Sequence, residues 1–149
     1  MKAISFSRCS KTRKLLLILL VLIMAAAAIL RISAGSGIPG KTEADRQNYL
    51  RSLGWAPCCD CGKSKSILLP EEFPDVLKNY NELQLRQGFD LTKYAGKEIK
   101  MYTYELAEDP AYPGAECSLY VYRGKIIGGD IHSPEISGYM LPLNVKENG

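Results

Sequence analysis

Five cysteines and a single histidine are the residues of this 149-residue chain best suited to chemistry, and their spacing limits what they can do. Cys58, Cys59 and Cys61 cluster within four positions, Cys117 stands alone, and Cys9 lies near the N-terminus. Cys58, Cys59, Cys61 and Cys117 fall beyond a long apolar run, where an oxidising compartment lets an even number of thiols pair. Of the three possible connectivities, Cys58–Cys61 with Cys59–Cys117 is the least strained, because a Cys58–Cys59 ring or a Cys59–Cys61 link is too tight. Free thiols are the alternative. Cys58 and Cys61 also have redox-pair spacing, but such a pair needs a helix N-terminus to lower the first thiol's pKa. Here Gly62-Lys63-Ser64-Lys65-Ser66 follows and reads as loop. Zinc would take the three clustered thiols with His132 or Cys117, without the paired spacing of a structural site. No metal and no cofactor is expected.

His132 follows Asp130 by two positions. On one strand both side chains face the same side, which is the arrangement of a carboxylate-supported general base. Ser133 alone does not supply a nucleophile, and Pro134 follows. The plainer account is a strand end leaving a sheet, with Gly128-Gly129 marking a bulge or close packing against a helix. No catalytic residue is assigned.

The residues from Gly35 to Thr42 fit the phosphate-loop pattern GxxxxGK[ST] letter for letter. A working phosphate loop follows a buried strand and opens a helix. This stretch follows a membrane-type segment instead, so it reads as a Gly/Ser/Pro linker and no nucleotide is expected.

The charge is divided along the chain. Residues 1–14 hold five basic and no acidic side chains, while residues 32–149 hold 13 basic against 16 acidic ones. A nucleic-acid-binding domain is thereby excluded as a reading of the composition. Residues 15–30 are unbroken apolar sequence, close to the length of a membrane span, and Arg31 can snorkel to the head groups. The expected organisation is a cytoplasmic basic leader at 1–14, a transmembrane signal anchor at 15–34, a linker at 35–41 and an extracytoplasmic domain at 42–149. A cleaved signal peptide, cut near Ser33–Gly37, is the competing reading.

The elements of the domain follow from periodicity. Thr42-Glu43-Ala44-Asp45 resembles a capping box that opens a helix carrying Tyr49, Leu50 and Leu53, with Gly54 at its end and Trp55 packing back. Ile67-Leu68-Leu69 is a short strand ended by Pro70. Phe73, Val76, Leu77, Tyr80, Leu83 and Gln87 mark a second helix, begun near Pro74 and stopped by Gly88. Beyond Gly96 the period changes to two. Strands are expected at 98–106, 117–122 and 125–131, the last two joined by a two-residue hairpin at Arg123-Gly124. The fold class is α+β, with two helices packed on one face of an antiparallel sheet of about four strands.

Several short motifs follow one another in a fixed order: Arg46-Gln47-Asn48-Tyr49-Leu50 with Gly54-Trp55, Pro70-Glu71-Glu72-Phe73, Tyr80-Asn81-Glu82-Leu83-Gln84 and Gln87-Gly88-Phe89-Asp90-Leu91. Tyr94-Ala95-Gly96-Lys97, Tyr102-Thr103-Tyr104 and Ile127-Gly128-Gly129-Asp130 complete the pattern. In these residues the chain resembles a family known as domain of unknown function 4830. The resemblance implies a small anchored or secreted protein of Gram-positive bacteria and brings no catalytic residues with it. The cluster Cys58-Cys59-Asp60-Cys61 departs from the family pattern. The expected role is non-enzymatic binding or assembly in the cell envelope, in a single-pass protein with its N-terminus inside and an envelope protein or peptide as partner. The alternatives are a thiol-active oxidoreductase using Cys58 and Cys61, and a regulatory ectodomain that senses peptides or wall fragments.

Overall fold

Thr42 fixes where the first helix begins. Its Oγ1 accepts from the Asp45 N–H at 3.1 Å, and the Asp45 carboxylate accepts from the Thr42 N–H at 2.9 Å. Both amides would otherwise be left unpaired at a helix start. Helix α1 spans Glu43–Ser52, and Gly54 turns the chain away at φ +81°, a conformation that costs glycine nothing. Helix α2 spans Asp75–Leu85, entered at Pro74 and left at Gly88, also at φ +81°. The computed structural model describes residues 37–58, 62–135 and 137–147, which belong to one compact unit.

Five strands form one antiparallel sheet whose spatial order is the chain order: β1 Lys63–Leu68, β2 Glu98–Glu105, β3 Glu116–Tyr122, β4 Lys125–His132 and β5 Met140–Leu141. Arg123 and Gly124 both have positive φ, +47° and +75°, which suits the twist of the β3–β4 hairpin. Tyr120 pairs with Gly128 but Val121 pairs with Ile126, so Ile127 is an extra, bulged residue.

Because side chains alternate along each strand, the register sorts them into two faces. One face carries Tyr104, Cys117, Leu119, Val121, Ile126 and Ile131, and packs on Leu50 and Leu53 of α1 and on Trp55. The other carries Ile99, Tyr120, Tyr122 and Ile127, with Leu69, Leu91 and Tyr80 of α2 against it. The helices therefore lie on opposite faces, which corrects the expectation of one shared face. Apolar residues occur at both parities of β2 and β3, so neither face of the central strands could be left to water.

Three further expectations are corrected. The sheet has five strands rather than about four, since residues 140–141 pair with Ile131 and His132. Lys63–Ser66, expected as loop, forms most of β1 because β2 offers it a ladder from Lys100 to Thr103. Gly37–Lys41, expected as a solvated linker, belongs to the folded unit: Pro39 bridges Lys125, and the Gly40 N–H donates to the Gly124 carbonyl at 3.0 Å. Gly40 is buried so tightly that a Cβ would stand 2.7 Å from Ile126 Cγ1. Among the described residues no helix is long and apolar enough to cross a membrane, and the expected leader and span at 1–14 and 15–34 lie outside them.

Candidate functional site

On the α1 face the central polar group is Arg46, which is 5 % exposed. Its Nε donates to the Tyr104 hydroxyl at 2.8 Å, Nη1 to the Gly40 and Lys41 carbonyls, and Nη2 to Glu43 Oε2 at 2.7 Å. The guanidinium also stacks 3.6 Å above the centroid of the Tyr102 ring. Burial opposes its charge, but the hydrogen bonds to Tyr104 and Glu43 raise its pKa above the ordinary arginine value. Trp55 is anchored in the same cluster by donating to the Leu143 carbonyl at 2.7 Å. Lys146 lies 4.1 Å over the Trp55 ring and is paired with Asp109 at 2.6 Å. Around Arg46 this face is closed by polar groups that satisfy one another, and a smaller pocket of about 440 Å³ opens at its edge, beside Lys41, Lys100, Tyr102 and Val121.

Amide side chains position α2 on the other face. The Gln84 Nε2 donates to the Gly129 carbonyl at 3.0 Å, and its Oε1 accepts from the Gly129 N–H at 2.9 Å. β5 is too short to reach that part of β4, so the Gln84 amide occupies the strand's peptide groups there as a neighbouring strand would. Gly128 permits the approach, since a Cβ on it would lie 2.7 Å from Gln84 Oε1. Gln87 adds a donation to the Gly129 carbonyl at 3.2 Å and accepts from the Leu143 N–H at 2.8 Å. Asn81 accepts from the Leu91 N–H at 2.8 Å.

Asp130 lies beneath this helix and is 2 % exposed. The Tyr80 hydroxyl donates to its Oδ2, the His132 Nδ1 meets its Oδ1 at 2.7 Å, and the Tyr120 hydroxyl lies 3.3 Å from that of Tyr80. Glu116 Oε2 stands 3.6 Å from His132 Nε2. The Asp130 hydrogen bond raises the His132 pKa above its usual value; partial burial opposes this, and the charges of Asp130 and Glu116 reinforce it. Burial, with the Asp130 charge beside it, drives the Tyr80 phenol far above the ordinary tyrosine range and pushes Tyr120 up to about 12. Protonated, His132 sits between two carboxylates. The hydroxyls hydrogen-bonded into this cluster are phenols that do not ionise at neutral pH, and the buried Ser118 stands across the ladder from Asp130.

Next to this cluster α2 and the sheet enclose an open groove of about 650 Å³. Ile67, Leu68 and Leu69 line one side, Val76, Leu77 and Leu83 of α2 the other, and Tyr80 and Tyr120 connect it to Asp130. Its rim exposes Val76 at 81 %, Leu68 at 70 % and Met140 at 54 %, which is unusual for large apolar side chains. His132 does not line it.

The structure places the sequence candidates as follows. Asp130 and His132 lie on one face of β4 and are hydrogen-bonded. Cys58 is a free, exposed thiol whose N–H donates to the Glu105 carbonyl, and Cys117 is a free, fully buried one on the α1 face. Their expected partners, Cys61 and Cys59, lie outside the described residues, so neither expected pairing is seen. Burial raises the Cys117 pKa well above that of a free thiol. The cysteine cluster is followed by β1 rather than by a helix, so the dipole of a thioredoxin-like site is missing there. Among the described residues no three His, Cys, Asp or Glu side chains are placed to hold a metal ion. In the phosphate-loop match, the Gly40 N–H serves Gly124 and the Thr42 hydroxyl caps α1. Sequence reasoning missed Arg46, Tyr80 and Gln84. Stepping back four positions from Leu50 lands on Arg46, and that spacing is the signal that could have marked it as buried.

These features define a small α+β domain: an antiparallel meander with one helix on each face, locked around Arg46 on the α1 side and carrying the apolar groove on the α2 side. Residues 49–131 match the family model described as Domain of unknown function (DUF4830), and the chain belongs to that family. The match runs from Tyr49 in α1 to Ile131 in β4 and takes in both walls of the groove. No curated protein and no solved structure matches the chain.

Proposed function

We propose that this chain is a membrane-anchored domain with a non-enzymatic binding or assembly role in the bacterial cell envelope. The observation that carries the binding role is the α2-face groove, an apolar cleft of ligand-binding size with large apolar side chains exposed at its rim. Anchoring with the N-terminus inside rests on the apolar run at 15–30 behind five basic residues. The non-enzymatic reading rests on the engagement of Asp130 and His132 with each other, with Tyr80 and with Glu116. The same groove beside the sheet favours one second reading, a peptide-sensing ectodomain.

A photo-crosslinking residue at Val76 of the full chain, in its own membrane, tests the binding role. A discrete adduct is expected from Val76 and none from Asn48, an exposed position on α1. No adduct from Val76, or the same adduct from both, removes the groove as the binding surface. A membrane-impermeant protease added to protoplasts should digest residues 37–149 and spare 1–14; a protected domain overturns the topology.

A further inference from the structure

The two edges of the sheet are finished differently. At β4, β5 covers Ile131 and His132, and Gln84 and Gln87 occupy the Gly129 peptide groups. At the opposite edge β1 pairs with β2 alone. The Leu69 N–H donates to the Lys97 carbonyl, so by antiparallel alternation Ile67, Lys65 and Lys63 also turn their peptide groups toward β2. Ser64, Ser66 and Leu68 turn theirs outward, and among the described residues nothing pairs with them. All three are exposed, and the strand has neither proline nor bulge; Lys63 and Lys65 guard the edge against apolar or basic strands, so it is open only to a strand of complementary charge.

We infer that the β1 edge and the groove together bind an extended peptide segment as a sixth strand, with carboxylates along one half of the segment and apolar side chains along the other. This rests on the binding role proposed above and names the partner's chemistry. Ile67 pairs with Ile99, so Lys63, Lys65 and Ile67 share the face that bears the groove. Lys65 has no ion pair among the described residues, and Lys63 meets Glu105 at 3.3 Å with both side chains well exposed. A carboxylate directly across from either lysine is favoured, and a like charge there is disfavoured. A second copy of β1, bringing its own Lys63 and Lys65, is selected against for the same reason. Toward Ile67 and Leu68 the edge reaches the groove, where Val76 and Leu77 offer apolar surface. Arg86 is the groove's one charged lining residue and has no ion pair among the described residues, so it too favours an acidic ligand. A free acyl chain would fill the groove and leave both the edge and its lysines unused.

The test is fluorescence-anisotropy titration of the full-length chain in lipid nanodiscs with labelled eight-residue peptides. One has glutamate at positions 1 and 3, valine at 5, leucine at 7 and threonine between; the second has the reverse order, to cover both strand directions. One of the two should bind. Of its two copies methylated at odd or even backbone nitrogens, one should lose at least tenfold and the other should keep its affinity. Ser66→Pro removes an outward N–H that β2 does not use, so it should cost at least tenfold in affinity and leave the melting temperature unchanged. Lys65→Glu should move the preference to a lysine-bearing copy of the peptide. Failure of both peptides overturns the inference, as does equal tolerance of both methylated copies. Groove capture of a medium-chain fatty acid that Ser66→Pro does not affect assigns the groove to an acyl chain and overturns the inference. A dimer abolished by Ser66→Pro assigns the edge to a second copy and overturns it likewise. If peptides fail while the Val76 adduct persists, the binding role stands and only the strand is wrong; loss of both removes both.

Discussion

The two faces of the sheet carry a helix each, but they hold it by opposite means. On the α1 face apolar residues fill the interior and one buried cation, Arg46, ties together the 38–41 segment, α1 and β2. On the α2 face the buried helical residues are the amides Asn81 and Gln84, while Val76 and Leu85 of the same helix face solvent. Amides that grip strand backbone can fix a helix without consuming its apolar residues. A closed face supplies stability, and an amide-held face leaves apolar surface available for a partner.

Removing the central group of the closed face should have the largest effect. Arg46→Ala strands the Tyr104 hydroxyl, two carbonyls and Glu43, and loss of a buried charged hub costs about 3–5 kcal/mol. Urea unfolding of the purified chain measures it. A loss below about 1 kcal/mol means that water can replace the guanidinium and that the face is not closed.

Gln84→Ala is the matching test on the grooved face. It leaves the Gly129 N–H without its partner and the Gly129 carbonyl with Gln87 alone, so a loss of about 2–3 kcal/mol is expected. Hydrogen exchange should also quicken at Gly129 and leave Leu119 slow. Uniform protection across β4 would show that the amide does not hold this edge.

The elements with local chemical signals were legible in the sequence. Thr42 with Asp45, the Arg123-Gly124 turn and the period-two runs of β2, β3 and β4 each state their structure within a few residues. The spacing of Asp130 and His132 already put both on one face of a strand. Their partner Tyr80 could not be found that way, because it lies 50 residues from Asp130 and meets it only through the packing of α2. Lys63–Ser66 carries no apolar alternation, and its strand conformation comes from β2. The α2 pattern is legible through its apolar and aromatic residues, and four of those, Val76, Leu77, Tyr80 and Leu83, line the groove, while the amides beside them, Asn81 and Gln84, make the tertiary contacts. Polar side chains that replace a missing strand look, in sequence, like solvent-facing ones.

A smaller effect is expected from pH, and it belongs to the grooved face alone. The folded His132 has a pKa raised above the ordinary 6.5, with Asp130 and Glu116 facing it and Tyr80 reaching Asp130 from α2. Its contribution is therefore fully present below the unfolded value and is lost as pH rises through the folded one. The wild type should lose stability as pH rises above the ordinary histidine value and through the raised folded one, and His132→Gln should flatten that part of the profile, with the two chains converging at high pH. Arg46 does not titrate in this range, so the closed face should be indifferent. A profile unchanged by His132→Gln separates the histidine from the Asp130 cluster.

Val76→Asp should have the smallest effect on stability and most sharply separates the two faces. The side chain is 81 % exposed at the groove rim, so a carboxylate there remains hydrated and the stability change should stay within about 0.5 kcal/mol. The same residue is where an apolar ligand would have to remove water, and a carboxylate resists that removal. The new charge would also lie near any acidic partner drawn by Lys65 and Arg86, which adds repulsion. Denaturant unfolding should thus find Val76→Asp equal to the wild type while ligand capture at the groove fails. A clear loss of stability would instead mean that Val76 belongs to the core, and the contrast between a closed face and a grooved one would fail at its most exposed point.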